Sequence, residues 1–209
     1  MTTHVSSGPV LPREGEAGPP YLREDQRFVL YGVPWKTYVA LRDGLGDGSG
    51  LRMTYLEGTL ELMSPSRNHE NYKTLIARLV EAYAEENDLD LRGYGGMTFR
   101  KKARKRGLDP DECYSLGEMG ERPDIAIEVA ISKALVNKLA VYAGLLVPEV
   151  WLWEDGTLTV HGLTADGYET RARSLVLPDL DIVHLSGFVV LDVNQTRQVK
   201  EYRRWLRSQ

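Results

Sequence analysis

The sequence predicts a single α/β domain with strands and helices mixed along the chain. Three observations carry that prediction. The 209 residues suit one compact core and would be cramped as two domains. Residues 123–131 read PDIAIEVAI, an alternating strand word; the helical word and second strand word after it have the order of a right-handed parallel crossover. Residues 64–89 place apolar side chains at helical spacing over a length strands do not reach.

Taken in order, residues 1–25 are rich in Gly, Pro, Ser and Thr without periodicity and read as a disordered tail. Residues 26–192 read as the folded domain and 193–209 as a C-terminal helix. The word PWKTYVALRDGLGDGSG predicts a short helix opened by Pro34 and closed by glycines. LRMTYL and TLELM flank Glu57-Gly58 and predict two strands joined by a tight turn. The long helix follows, with Ser64, Ser66 and Asn68 as capping candidates and Leu75, Leu79 and Ala82 at helical spacing. RGYGGMTFR predicts one strand leading into a basic run. DPDECYSL and PDIAIEVAI are two further strands, separated by the linker GEMGER. In the second, Ile125, Ile127, Val129 and Ile131 make an aliphatic face, while Asp124, Ala126, Glu128 and Ala130 share the other. SKALVNKLAVYAGLL predicts a helix with Ser132 as N-cap, and PEVWLWED a strand. Asp155-Gly156 turns the chain into TLTVHGL, and further strands precede the C-terminal word VKEYRRWLRS. Tyr202, Trp205 and Leu206 in that word suit either an interface or packing on the core.

Composition excludes several classes. With 42% hydrophobic and 27% charged residues the chain is an ordinary globular sequence. Its mean hydropathy is −0.34, and its apolar runs are far shorter than a membrane span. The first twenty residues contain no apolar signal core, so a secretory signal is not expected. A single cysteine, Cys113, excludes an internal disulfide framework and a Cys-rich zinc site, and the expected location is cytoplasmic. The net charge of −4 argues on average against a nucleic-acid partner. Residues 100–106, however, read RKKARKR, with six basic side chains: Arg100, Lys101, Lys102, Arg104, Lys105 and Arg106. Without them, 20 basic residues face 30 acidic ones. Such a block is a solvated loop or the footprint of phosphate binding, and charge alone does not decide.

The acids stand out by their strand context. Asp111 lies in the first of the two adjacent strand words and Glu128 in the second, so both can project from one end of a sheet. Two convergent carboxylates are what Mg²⁺ needs, with water and substrate phosphate filling the remaining positions; solvated surface acids would look the same in sequence. Lys138 lies about 60° from Leu135 and about 40° from Tyr142 on a helical wheel. It can reach past the helix edge toward the carboxylates, or snorkel over apolar surface. His69, near the start of the long helix, could contact phosphate or sit buried and hydrogen-bonded. Glu57 is a turn residue or an additional carboxylate. Cys113 reads as a small buried residue, and His4, His161 and His184 have no ligand spacing.

Together these words resemble the Uma2 family of the PD-(D/E)XK nuclease superfamily. The resemblance spans roughly residues 28–164 and rests on EGTLELMSPSRNHE, GLDPDECYSL, RPDIAIEVAIS and NKLAVYAGLLVPEVWLW. It implies a restriction-endonuclease-like fold, a mixed central sheet flanked by helices, with an acidic site at one end of the central strands. It also implies hydrolysis of DNA phosphodiesters with Mg²⁺, or Mn²⁺ in its place. Carried over by position, Asp111 matches the motif's first aspartate and Glu128 the acid of its E-x-K word, and Val129 can lend a backbone carbonyl to the metal. Position 130 is Ala130 where that word has lysine, and the lysine's counterpart is Lys138 on the following helix. His69 and Glu57 match recurring positions and take supporting roles. Asp124, roughly 13 Å along the strand from Glu128, is too far to share an ion with it. Related nucleases often act as homodimers. Beside the endonuclease stand two other readings: a nuclease-fold module that binds nucleic acid without turnover, and an interaction protein whose acids and basic run are surface groups.

Overall fold

The computed structural model describes residues 24–46, 50–118 and 120–209. The tail expected over residues 1–25 lies outside these except for Glu24 and Asp25, and His4 lies outside too. The chain enters through β1 (Gln26–Leu30), which no sequence word marked, and α1 (Trp35–Leu45). Pro34 stands at the N-cap of α1, and Gly46 ends it at φ 65°, a conformation that favours glycine. β2 (Arg52–Leu56) and β3 (Thr59–Ser64) form the expected hairpin. Glu57 and Gly58 both have positive φ, 49° and 103°, as a turn matched to the strand twist requires. α2 (Arg67–Glu86) follows, and of its three candidate caps it uses Ser66, whose hydroxyl accepts the His69 N–H.

The stretch expected as one strand at residues 92–100 is split. Gly95, at φ 56°, turns the chain between β4 (Leu91–Gly93) and β5 (Phe99–Lys101), and the two strands join different sheets. A 3-10 turn over Lys102–Arg104 then leads to β6 (Arg106–Leu108), so the basic run is the turn and flanks of a β5–β6 hairpin. The remaining elements are β7 (Glu112–Leu116), β8 (Ile125–Ala130), α3 (Lys138–Leu145), β9 (Glu149–Glu154), β10 (Thr157–Thr164), β11 (Gly167–Arg171), α4 (Ile182–Gly187) and α5 (Gln195–Leu206).

The helix expected from Ser132 starts six residues later, at Lys138. Asn137 caps it by accepting the Ala140 N–H at 3.0 Å. Residues 132–137 stay irregular because their amides find a partner elsewhere: Leu135 and Val136 donate to the Glu61 carboxylate. Leu135, the wheel reference for placing Lys138, lies outside the helix and is 61% exposed.

Two sheets result. One is antiparallel, in the order β1-β3-β2-β6-β5; the other is mixed, in the order β11-β10-β9-β8-β7-β4, with β8 and β9 parallel across the α3 crossover. The alternation of β8 divides the main core. Ile125, Ile127 and Val129 pack with Leu75, Leu79 of α2 and Tyr202 of α5, while Ala126 packs with Val141, Tyr142 and Leu145 of α3. α1 covers the antiparallel sheet through Tyr38, against Met53, Tyr55 and Leu60. Glu128 therefore faces α3 from a strand that is otherwise apolar.

Candidate active site

Residues 109–111 carry the chain from β6 in one sheet to β7 in the other. Asp109 belongs to the first sheet: its carboxylate accepts the Met53 N–H at 3.0 Å and the Thr98 hydroxyl at 2.6 Å. Asp111 belongs to the second. One oxygen accepts the N–H of Val129 on β8 at 2.8 Å, and the other meets His69 Nε2 at 2.8 Å. It is fully buried.

Glu128 is two per cent exposed. Its two oxygens accept from Lys138 Nζ and from the Tyr142 hydroxyl. Those residues are four apart on α3, so one helix face delivers both donors. Ala130 shares the Glu128 face of β8, and the ammonium that a lysine there would supply arrives instead from α3. The helix starts at Lys138, which points the side chain down onto the sheet; the wheel anchored on Leu135 could not have established this.

His69 bridges two acids, because its Nδ1 meets Asp25 Oδ2 at 3.1 Å while Nε2 meets Asp111. The cap of α2 fixes the bridge: Ser66 accepts the His69 N–H, and its own N–H donates to Asp25 at 2.9 Å. Asp25 also pairs with Arg27 at 3.2 Å, and Arg27 with Glu61 at 2.6 Å. Arg27 Nε donates to the Ser132 hydroxyl at 3.0 Å. Arg27 and Glu61 thus clasp residues 132–136, the loop that delivers Lys138. The sequence words did not reveal Asp25, Arg27, Glu61 or Tyr142 as site residues; the one available signal was the acid at position 61 within an otherwise apolar strand.

In this cluster four carboxylates face three cations: Asp25, Glu61, Asp111 and Glu128 against Arg27, His69 and Lys138. Burial opposes charge on His69, but the attraction of Asp111 and hydrogen bonds to Asp111 and Asp25 outweigh it and raise the imidazole to about 9. Burial likewise opposes charge on Asp111, but His69, then Lys138 and the Val129 N–H, hold its carboxyl well below the usual range. Asp25 is lowered in the same way, against its burial, mainly by His69. At Glu128 burial prevails, helped by the Asp111 charge and countered by Lys138 and Tyr142, so its carboxyl is raised. Lys138 is held charged against its burial by Glu128 and Asp111.

A pH dependence of stability follows. His69, raised from 6.5 to about 9, contributes fully below about pH 6.5, and that contribution is lost as pH rises through about 9. At about 1.4 kcal/mol per pKa unit this is on the order of 3 kcal/mol. The depressed Asp25 and Asp111 contribute above about pH 3.8 and lose their share as pH falls below it. The urea midpoint is therefore expected to be highest between about pH 4 and 6.5 and lower at pH 9.5. An unchanged midpoint at pH 9.5 would mean that His69 is neutral in the fold.

The structure does not bring Glu57 to the carboxylates. It stands at the hairpin turn with a 63% exposed side chain, paired with Arg106 at 3.0 Å. Of the basic run, Arg100 pairs with Asp43 at 2.8 Å. Arg106 also turns inward, donating to the Ala140 carbonyl at 2.7 Å. Its side chain lies where a Cβ on Gly144 would come within 2.2 Å of it, so the close approach of hairpin and helix depends on that glycine. Lys101, Lys102, Arg104 and Lys105 are exposed. Cys113 is buried, and its thiol is pushed up to about 12 by that burial and by Glu112 and Glu128, which leaves it inert. Among the described residues, no helix is long and apolar enough to cross a membrane.

The family model described as "Uma2: Putative restriction endonuclease" matches residues 35–194. That span runs from α1 to the edge of α5 and contains Asp111, Glu128, Lys138 and His69; Asp25 and Arg27 precede it. No curated protein matches the chain.

Proposed function

The chain belongs to the Uma2 family, whose fold is restriction-endonuclease-like, and on that premise we propose that it is a metal-dependent endonuclease hydrolysing DNA phosphodiester bonds. The observation that carries this reading is the meeting of Asp111, Glu128 and Lys138 at the junction of β7, β8 and α3.

The donor chemistry fits a hard dication. Among the described residues, no three His, Cys, Asp or Glu side chains gather as a metal cluster. Mg²⁺ commonly rests on one or two carboxylates and keeps several waters. Asp111 and Glu128 would provide the two, Val129, whose N–H already binds Asp111, would lend its carbonyl, and the ammonium on Glu128 marks a place where the field favours a cation. A bound Mg²⁺ or Mn²⁺ would polarise the phosphoryl oxygen and acidify the attacking water.

The chain's own residues do the rest. Lys138 orients the water or stabilises charge on the phosphate in the transition state. Tyr142 holds the second Glu128 oxygen and so fixes the carboxylate plane. His69, charged and anchored by Asp25, keeps Asp111 ionised and oriented. Lys101, Lys102, Arg104 and Lys105 hold the DNA backbone, with Arg106 tying their hairpin to α3; Glu57 serves through Arg106.

A second reading, a nucleic-acid-binding module without turnover, is favoured by one fact: every oxygen of Asp111 and Glu128 already takes a protein partner. Plasmid incubated with Mg²⁺ or Mn²⁺ separates the two. Nicking is expected in wild type, and its loss with a chelator and in Asp111→Asn. Equal nicking by Asp111→Asn would place the chemistry elsewhere, and DNA binding without nicking would favour the module.

A further inference from the structure

Glu128 looks onto a cavity of about 220 Å³ beside β8. Val150 and Leu152 form part of its wall, and Ala130 lies next to the carboxylate. A lysine at position 130 would extend into this space, and alanine leaves it open. Arg27, Lys133 and Lys138 bring three positive charges to it, against the carboxylates of Glu128 and Glu154. Arg27 and Lys138 are committed to Asp25, Glu61 and Glu128. Lys133 is exposed and has no hydrogen bond or ion pair among the described residues.

This cavity is small, below the roughly 300–1,000 Å³ of pockets that enclose a drug-sized ligand. It can take a phosphate with its sugar, but not a base pair. Glu128 lines the cavity with only two per cent of its surface exposed, and Asp111 lies buried behind it, off the lining, so a scissile phosphate that reaches Glu128 must enter the cavity with its sugar. In a duplex that requires drawing the nucleotide out of its stack and pairing, at an energetic cost that a single strand does not carry. The apolar wall suits the carbon face of a sugar, and the free ammonium of Lys133 suits a phosphate oxygen.

We propose that the site acts on single-stranded DNA, with the cavity receiving one unpaired sugar-phosphate and Lys133 binding its phosphate. This rests on the nuclease reading above.

Fluorescence anisotropy with a labelled oligothymidine and a labelled duplex, in Ca²⁺, tests it on the full chain. The single strand is expected to bind at least about tenfold more tightly, reflecting the unpairing that a duplex must undergo. Lys133→Glu, an exposed change that leaves the fold intact, should weaken the single strand by a similar factor. Ala130→Leu fills the cavity and should abolish the preference while the thermal midpoint stays close to wild type. Thymidine monophosphate should compete better than inorganic phosphate. Duplex bound as tightly as single strand, no effect of Lys133→Glu, or phosphate competing as well as the nucleotide would each overturn the proposal. A cleavage arm in Mg²⁺ keeps the two readings apart. Single-strand preference with no cleavage of either DNA would sink the nuclease but not the pocket's ligand. Equal cutting of both DNAs would sink the substrate class and leave the nuclease standing.

Discussion

A Lys138→Met variant is expected to cleave DNA about 10²–10³-fold more slowly than wild type, the loss seen when one donor to a developing oxyanion is removed. Methionine keeps the stem that packs at the start of α3 and deletes only the ammonium. Glu128 would then be left with Tyr142 alone. Its carboxyl is already raised by burial, so it would take up a proton rather than remain an unpaired buried charge. Arginine would not substitute, because a planar guanidinium cannot occupy the position of a compact ammonium. Single-turnover cleavage of a labelled oligonucleotide reads the variant. Wild-type rates in Lys138→Met would reduce Lys138 to a structural partner of Glu128.

Replacing His69 by alanine is expected to lower the unfolding free energy by about 3–5 kcal/mol, as removing one member of a buried ion pair does. The side chain is completely buried between Asp25 and Asp111, so its loss strands two carboxylates at once. Part of that cost is relieved as the acids take up protons, so the deficit should shrink at low pH. Glutamine, which can hydrogen-bond but carries no charge, should fall between alanine and wild type. Urea denaturation at pH 6 measures the series, and a loss below about 1 kcal/mol would mean the bridge behaves like an exposed ion pair.

Much of the fold was legible because its signals are local. Glu57-Gly58 announces a hairpin, Ser66 caps α2, and the Ile/Ala alternation of β8 separates an aliphatic face from the one bearing Glu128. Lys138 was legible as a candidate, though not for the right geometric reason: the helix begins at Lys138 itself and not at Ser132. What set that start was remote. Glu61, on a strand more than seventy residues earlier, takes the amides of Leu135 and Val136, and no local word contains that fact. Asp25 and Arg27 escaped notice for a similar reason. They border a stretch without periodicity, and their partners are Ser66, His69, Glu61 and Ser132, each brought close only by the tertiary fold. The stretch at residues 92–100 carries strand-like residues at Tyr94 and Thr98-Phe99 but three glycines between and around them, and the positive φ of Gly95 divides it between two sheets. The single basic block also hid two kinds of residue, exposed cations and the inward Arg106, since charge in a sequence carries no direction.

One residue, Pro110, separates the two aspartates that anchor the crossing between sheets. Asp109 is tied to Met53 and Thr98 on one side, Asp111 to Val129 and His69 on the other. Proline has no amide to leave unpaired there, and its neighbours fix the spacing from both ends. An inserted or deleted residue at this point would leave one of the two carboxylates without its partners. An extra residue in the Thr164–Gly167 turn would merely lengthen an exposed loop. The crossing is therefore fixed in length, and insertions should be tolerated in exposed turns such as Thr164–Gly167 instead.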